Sequence, residues 1–511
     1  MPERAWLVVF AALGFLLGAW QVPLFDLDEG AFSEATLEMI DSGNYVSTTL
    51  NGEPRYDKPM LSYWLQAASV HLLGRTELAF RLPSILCATL WMWLIYGFAR
   101  ERERERGEAL VAAGAVAFGL MSSLIGHAAT ADALLNLLIA SAGLDIFRWY
   151  ERQRRATLLR VYLAIGLGLL AKGPVALAIP GAASLLFFVW QGRFGLWLRA
   201  VLDPRGWLLM IAIVAPWVLA SIHHDGGAFL RHFLLDHNVG RYTETMQNHG
   251  GHWWFYLATL PLIVLPFTGV LRAAFAGAWR ESEPFDRYAL VWFALVLLLF
   301  SASATQLPHY LLYGCTPLFV LFGRHHARVR WRRVALLPPL LLAIVLCLLP
   351  WLLPALAAQA HRAYERGVLE LAVGQFGATY RVWALAALLA MLVALIVAPR
   401  RWPAALLLAG GVQAALLWGV ALPAFAEAYQ RPTQLAAYKA RALGLPTVMY
   451  RTYLPTFSVY RGAPTPQRAP QPGELAFIRA DRLPTLQKEF PQAELSMEFQ
   501  MGGVLLIRRR S

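Results

Sequence analysis

Charge is scarce in this chain. Only 15% of its 511 residues are Asp, Glu, Lys or Arg, where a soluble globular protein carries about a quarter. With 58% of the residues hydrophobic, that shortage excludes an ordinary water-soluble fold. Cysteine is scarcer still: Cys87, Cys315 and Cys347 each lie within an apolar run, a placement that offers neither a disulfide framework nor a thiolate metal site. The histidines between 223 and 252 lack a His-Glu-x-x-His spacing, so no metal and no other cofactor is expected. No internal repeat is evident, which weighs against a transporter built from repeats. The first apolar segment has no convincing cleavage site and reads as a retained helix.

What is present is apolar length. A helix needs about 20 residues to cross a bilayer, with some latitude. Runs of this character recur at 6–20, 78–98, 109–125, 133–147, 158–170, 175–190, 207–222, 253–270, 288–300, 307–322, 334–356, 382–397 and 402–425, about thirteen in all. The expected fold class is mainly α, a polytopic membrane protein. Basic residues mark the cytoplasmic side of short loops. They crowd alternate loops: Arg100, Arg102, Arg104 and Arg106, then 148–160, 193–205, 272–287, 324–333, and Arg400 with Arg401. The opposite set, 21–77, 126–132, 223–252, 302–306 and 358–381, is poor in basic residues for its length and is assigned to the periplasm. The net charge of +13 therefore points to the headgroups of membrane lipids rather than to nucleic acid. Beyond Phe425 the pattern turns soluble, with β-like runs at 447–450, 475–478 and 504–507 around a Pro-rich loop at 462–472. A membrane domain over 1–425 followed by a small periplasmic α/β domain over 426–511 is expected.

The first periplasmic loop, 21–77, holds most of the chemistry-bearing residues. It reads Phe25-Asp26-Leu27-Asp28-Glu29-Gly30, and a helix is expected from near Glu29 to Gly43, where glycine suits a C-terminus. Asp28 read alone is an N-cap. Three carboxylates within four residues exceed what one cap needs, so at least one is free for other work. Further on comes Tyr56-Asp57-Lys58-Pro59, with Pro59 suited to the first position of a helix. A lysine at that positive end makes sense beside a phosphate; the alternative is a snorkelling surface lysine. Lys172-Gly173-Pro174 repeats the device at a short turn, and Asp132 begins a span at the same face, again as a site residue or an N-cap. The loop after the seventh span adds His237, Asn238 and Arg241, the last a fork suited to phosphate. Leu307-Pro308-His309-Tyr310 opens the tenth span.

These residues, in this order, resemble the integral-membrane glycosyltransferases that include the bacterial aminoarabinose transferases of lipid A and the protein O-mannosyltransferases. The resemblance runs over nearly the whole chain and implies a GT-C fold, a bacterial inner-membrane location with the active site and C-terminus periplasmic, and an inverting, metal-free transfer. The implied donor is a sugar on a polyprenyl phosphate; the implied acceptor is lipid A or another envelope molecule, with the protein a monomer. By matched position, Asp28 is the acidic catalytic residue, with Glu29 and Asp132 as further acidic residues; Lys58, Arg241 and Lys172 hold the carrier phosphate; Tyr56, His237, His309 and Tyr310 complete the substrate site. Phe32 stands where the aminoarabinose transferases carry tyrosine, Met60 replaces the second proline of Lys-Pro-Pro, and the His237 to Arg241 spacing is one residue longer. A protein O-glycosyltransferase and a lipid-linked sugar flippase are the alternatives; an O-antigen ligase or polymerase would be expected to centre on a large late loop instead.

Overall fold

The computed structural model describes residues 3–102, 106–234 and 251–510. Helix dominates. The chain opens with α1 (Glu3–Ala11), which widens into a π turn at Ala12–Leu16. The first loop then folds into α2 (Asp28–Ser42), and Gly43 ends it at φ +69°, its amide meeting the Ile40 carbonyl at 3.3 Å. A left-handed residue at that position is the role glycine fills without steric cost. The hairpin of β1 (Thr48–Leu50) and β2 (Glu53–Arg55) follows, turned by Asn51-Gly52 with φ of +56° and +78°. Two successive positive φ angles match the sense of strand twist, which is why Asn-Gly makes this turn.

Next comes α3 (Leu61–Leu73), preceded by Met60 at the N-cap. Pro59 is thus two residues ahead of the helix rather than its first residue, and Lys58 lies in the bend that leads to it. The long α4 (Glu77–Arg102) passes through the bundle. Then α5 (Arg106–Phe118) and α6 (Leu120–His127) form one apolar pair bent by 58°. The antiparallel pair α7 (Asp132–Arg152) and α8 (Arg155–Lys172) pack along each other. Gly173 at φ +84° and Pro174 turn the chain from α8 into Val175–Trp190.

The chain is a multi-pass membrane protein. Among the described residues six helices are long and apolar enough to cross a bilayer, and eight if each of two bent pairs is one span. Helices at 133–147, 158–170 and 175–190 are present but fall short of that standard, the first two because Asp132, Asn136, Asp145, Arg148 and Arg160 dilute their hydropathy, the third by length. The run at 307–322 is not a continuous α-helix. A 3₁₀ stretch, Pro308–Gly314, leads into Cys315–His325, and it brings His309 and Tyr313 to Asp132 at the start of α7.

The C-terminal segment carries a four-stranded sheet of β3 (Thr447–Met449), β4 (Leu475–Arg479), β5 (Leu495–Met501) and β6 (Val504–Arg509) in the order β3-β4-β6-β5, with only β3 and β4 parallel. Strand β5 alternates apolar and polar residues from Leu495 to Met501, and a bulge between Met497 and Phe499 breaks its register. The short helix Pro455–Arg461 lies against α2. Gly30 is the close-approach point: a Cβ there would stand 2.7 Å from the Thr456 amide.

Candidate active site

The three carboxylates at the start of α2 meet three different fates. Asp26 is taken by the C-terminal segment: the Thr456 amide donates to it at 3.0 Å, Gln430 at 2.8 Å, and the Thr456 hydroxyl also bonds it. Burial, helped by the charge of Glu29 and opposed by those hydrogen bonds, pushes the Asp26 pKa up to about 6. Glu29 is buried and fully engaged. Arg81 of α4 meets it side on, at 2.8 and 2.7 Å, and the amides of Phe25 and Ala129 add 2.8 Å bonds. Arg81 spends its remaining donors on the carbonyls of Ala19, Val22 and Pro23. Such a clamp fixes the backbone of 19–29 and leaves Glu29 no free lone pair facing substrate.

Asp28 is the one left over. It is exposed, has no hydrogen-bond partner among the described residues, and does not cap its helix: Leu27 is the N-cap and Asp28 the first helical residue. It lines a cleft of about 290 Å³ together with Asp132, His309, His127 and Trp418. His127 is wedged there between the Ser123 and Leu17 carbonyls at 2.9 and 3.0 Å, its ring stacked on Trp418 at 4.3 Å.

Across the cleft, Asp132 heads α7, and it too leaves the N-cap to its neighbour, Ala131. Its carboxylate binds the Lys172 ammonium, accepts from Tyr313 at 3.2 Å and Thr130 at 3.2 Å, and has His309 Nε2 at 3.6 Å. Lys172 also donates to the Tyr313 hydroxyl at 3.0 Å and stands 5.5 Å from the Tyr310 ring. The antiparallel turn between α7 and α8 is the reason these two charges meet: one helix begins where the other ends. Lys58 contributes a longer-range attraction to Asp132. It is buried, and Asp57 holds its ammonium at 2.6 Å while Arg55 grips the same carboxylate at 3.0 Å. Tyr56 stacks on His232 at 5.4 Å and meets Phe229 edge-on at 5.7 Å. This is the root of the segment that carries His237 and Arg241, which, with Asp236, Asn238, Tyr242 and His249, lie outside the described residues.

The residues that gather at the cleft and its rim, Asp28, Lys58, Asp132, Lys172 and His309, therefore come from five separate stretches of sequence. Comparison with known proteins places the chain in a family. Residues 57–219 match the family described as dolichyl-phosphate-mannose-protein mannosyltransferase. An undecaprenyl phosphate-alpha-4-amino-4-deoxy-L-arabinose arabinosyl transferase of Edwardsiella ictaluri is 30% identical over 420 residues, covering 78% of this chain and 73% of the relative. The chain belongs to this arabinosyl transferase family. Its counterpart in Erwinia tasmaniensis is 29% identical over 362 residues, 67% of this chain. The matched part spans 65% of that relative's own length. ArnT from Cupriavidus metallidurans, solved bound to undecaprenyl phosphate, shares the fold: its TM-score is 0.82 at 20% identity, covering 99% of this chain and 98% of that one.

Within the arabinosyl transferase framework, four contributors lie outside the residues singled out from sequence: Arg81, Tyr313, and the pair Gln430 and Thr456 that holds Asp26. A signal existed for Arg81, an arginine inside the apolar run 78–98, since an ion at such depth marks function or a built pair. None existed for Thr456, which is 430 residues from its partner.

Proposed function

We propose that this protein is a glycosyltransferase that takes an amino-pentose of the 4-amino-4-deoxy-L-arabinose kind from undecaprenyl phosphate and passes it to lipid A. The observation that carries the reading is Asp28: of the carboxylates at 26–29, the one left without a partner, set at the mouth of a cleft with cations beyond it. The family and the shared fold supply the substrate class. The active cleft and the segment 426–511 face the periplasm of the bacterial inner membrane, a topology of about thirteen crossings that the arginine-rich loops support, and the protein acts as a monomer.

In this reading the bond between the anomeric carbon and the carrier phosphate breaks as the acceptor oxygen attacks from the opposite face, inverting the centre. Positive charge builds on the sugar ring and negative charge on the departing phosphate. Lys58 and Arg241 meet that phosphate, and cations aimed at developing charge are the largest catalytic term available to such a site. Asp28 takes the proton of an acceptor hydroxyl, or orients an acceptor that is already a phosphate anion. Asp132, held by Lys172 and Tyr313, balances the cationic wall and keeps His309 turned to the cleft; Tyr56, His237 and Tyr310 shape its sides. Glu29 acts by position, as the anchor of Asp28's backbone.

The test is transfer of radiolabelled sugar from synthetic polyprenyl-phosphate donors to an envelope lipid extract. Wild type labels lipid A, and Asp28→Asn lowers the rate at least about 100-fold; full activity in that variant overturns the assignment. The match of 57–219 to the mannosyltransferase family favours one second reading, a protein acceptor, which label on protein rather than lipid would establish. Transport without transfer would mark the lipid-linked sugar flippase.

A further inference from the structure

The far end of α7 carries a second lipid-shaped feature, independent of the transfer reading. From Asp132 to Arg152 the helix runs 21 residues, about 30 Å, so this end lies at the opposite membrane face. There α4, α7 and α8 part to leave a groove of about 580 Å³. Its walls are apolar: Leu94 from α4, Leu137 and Leu138 from α7, Leu163 and Leu167 from α8. Between Leu137 and Arg152 the groove follows α7 for about 22 Å, the reach of a fatty acyl chain, and Leu163 stands open at 40% exposure.

The rim is cationic and only half neutralised. Four arginines, Arg148, Arg152, Arg154 and Arg160, face two carboxylates, Glu101 and Asp145. Arg148 takes Glu101 at 2.7 and 3.0 Å and Asp145 at 2.9 Å, and Arg160 takes Asp145 at 2.7 and 3.0 Å. That consumes both acids. Arg152 and Arg154 are exposed and pair with no carboxylate among the described residues. A second groove of about 770 Å³ lies beyond the same turn, with Arg155 and Arg199 on its edge.

We infer that the α4–α7–α8 groove is a binding site for an anionic glycerophospholipid, its phosphate on Arg152 and Arg154 and an acyl chain along the leucine walls. Two free guanidiniums demand an anion, and the leucine floor demands a chain attached to it. Free phosphate meets only the first demand, and a zwitterionic lipid meets the second but carries a cation of its own beside its phosphate, which weakens its hold on two guanidiniums. The polyprenyl monophosphate carrier fits less well, because its phosphate is wanted about 30 Å away at the other end of α7.

The experiment is native mass spectrometry of the full-length protein in detergent, titrated with phosphatidylglycerol, phosphatidylcholine of the same chains, undecaprenyl phosphate or inorganic phosphate. Wild type retains phosphatidylglycerol in preference. R152A/R154A weakens that retention about thirty-fold, five- to sixfold per arginine, with transfer activity in detergent unchanged. R400A/R401A removes the same charge elsewhere and leaves retention as in wild type. Equal loss in R400A/R401A, equal retention of phosphatidylcholine, preference for undecaprenyl phosphate, or displacement of lipid by inorganic phosphate at matched concentration would each overturn the site.

Discussion

At one end of α7, Asp132 is enclosed by Lys172, Tyr313, Thr130 and His309; at the other, Arg152 and Arg154 stand in the open with no carboxylate beside them among the described residues. The difference is one of solvent. An ion withdrawn from water must bring its counter-charge and hydrogen bonds with it, so among the described residues the cleft end pairs Glu29 with Arg81 and Asp132 with Lys172 and leaves Asp28 uncommitted. The exposed end needs no internal partner and leaves its charge to be met from outside. Loss of a side chain should accordingly cost most at the enclosed end and least at the open one.

The largest effect is expected at Arg81. Arg81→Ala strands Glu29 without its cation and should cost about 3–5 kcal/mol, read as a fall in melting temperature in detergent. Replacing both partners by methionine should recover much of that loss, and a double variant as unstable as the single would break the comparison. Lys172→Met should follow, at roughly 2–4 kcal/mol, with kcat falling more than KM rises; an unchanged kcat would remove Asp132 from the site.

A smaller and pH-dependent effect belongs to Glu34, which is buried on α2. Burial, with Glu38 and Asp26 nearby, pushes its pKa from 4.5 up to about 8. Between those values the folded protein keeps a proton that the unfolded chain has lost. Stability is therefore full at low pH and declines as pH rises toward 8, by on the order of 1–3 kcal/mol. Glu34→Gln should flatten the decline in melting temperature between pH 6 and pH 9, and an unaltered slope would refute the burial argument. Thr456→Val, which removes a hydroxyl but keeps the amide bond to Asp26, should cost about 1 kcal/mol, measured the same way.

Much of the enclosed end could be read from residues. Gly43 announced the end of α2, and Lys172-Gly173-Pro174 announced a charge at a turn. The count of carboxylates at 26–29 implied that one was surplus, although which one was decided by Arg81 and Thr456, groups that only folding brings near. Pro59 misled because a proline's favoured helix position depends on its C-terminal neighbours, and Met60 took the cap. The 3₁₀ stretch at 308–314 was invisible because an apolar run has the same composition whether wound at three or 3.6 residues per turn. β5 was missed although its signal was present: Leu495 to Met501 alternates apolar and polar residues, the period-2 pattern of a half-buried strand.

The bond between Asp26 and Thr456 joins the beginning of the chain to its end, 430 residues apart. At a synthesis rate of 5–20 residues per second, roughly 20–90 seconds separate the appearance of the two. Throughout that interval the membrane helices are inserting while the loop that bears Asp28 lacks one of its moorings. The protein's first functional segment is thus among the last to be finished, and a chain truncated before Thr456 would hold the cleft's residues without the contact that sets Asp26.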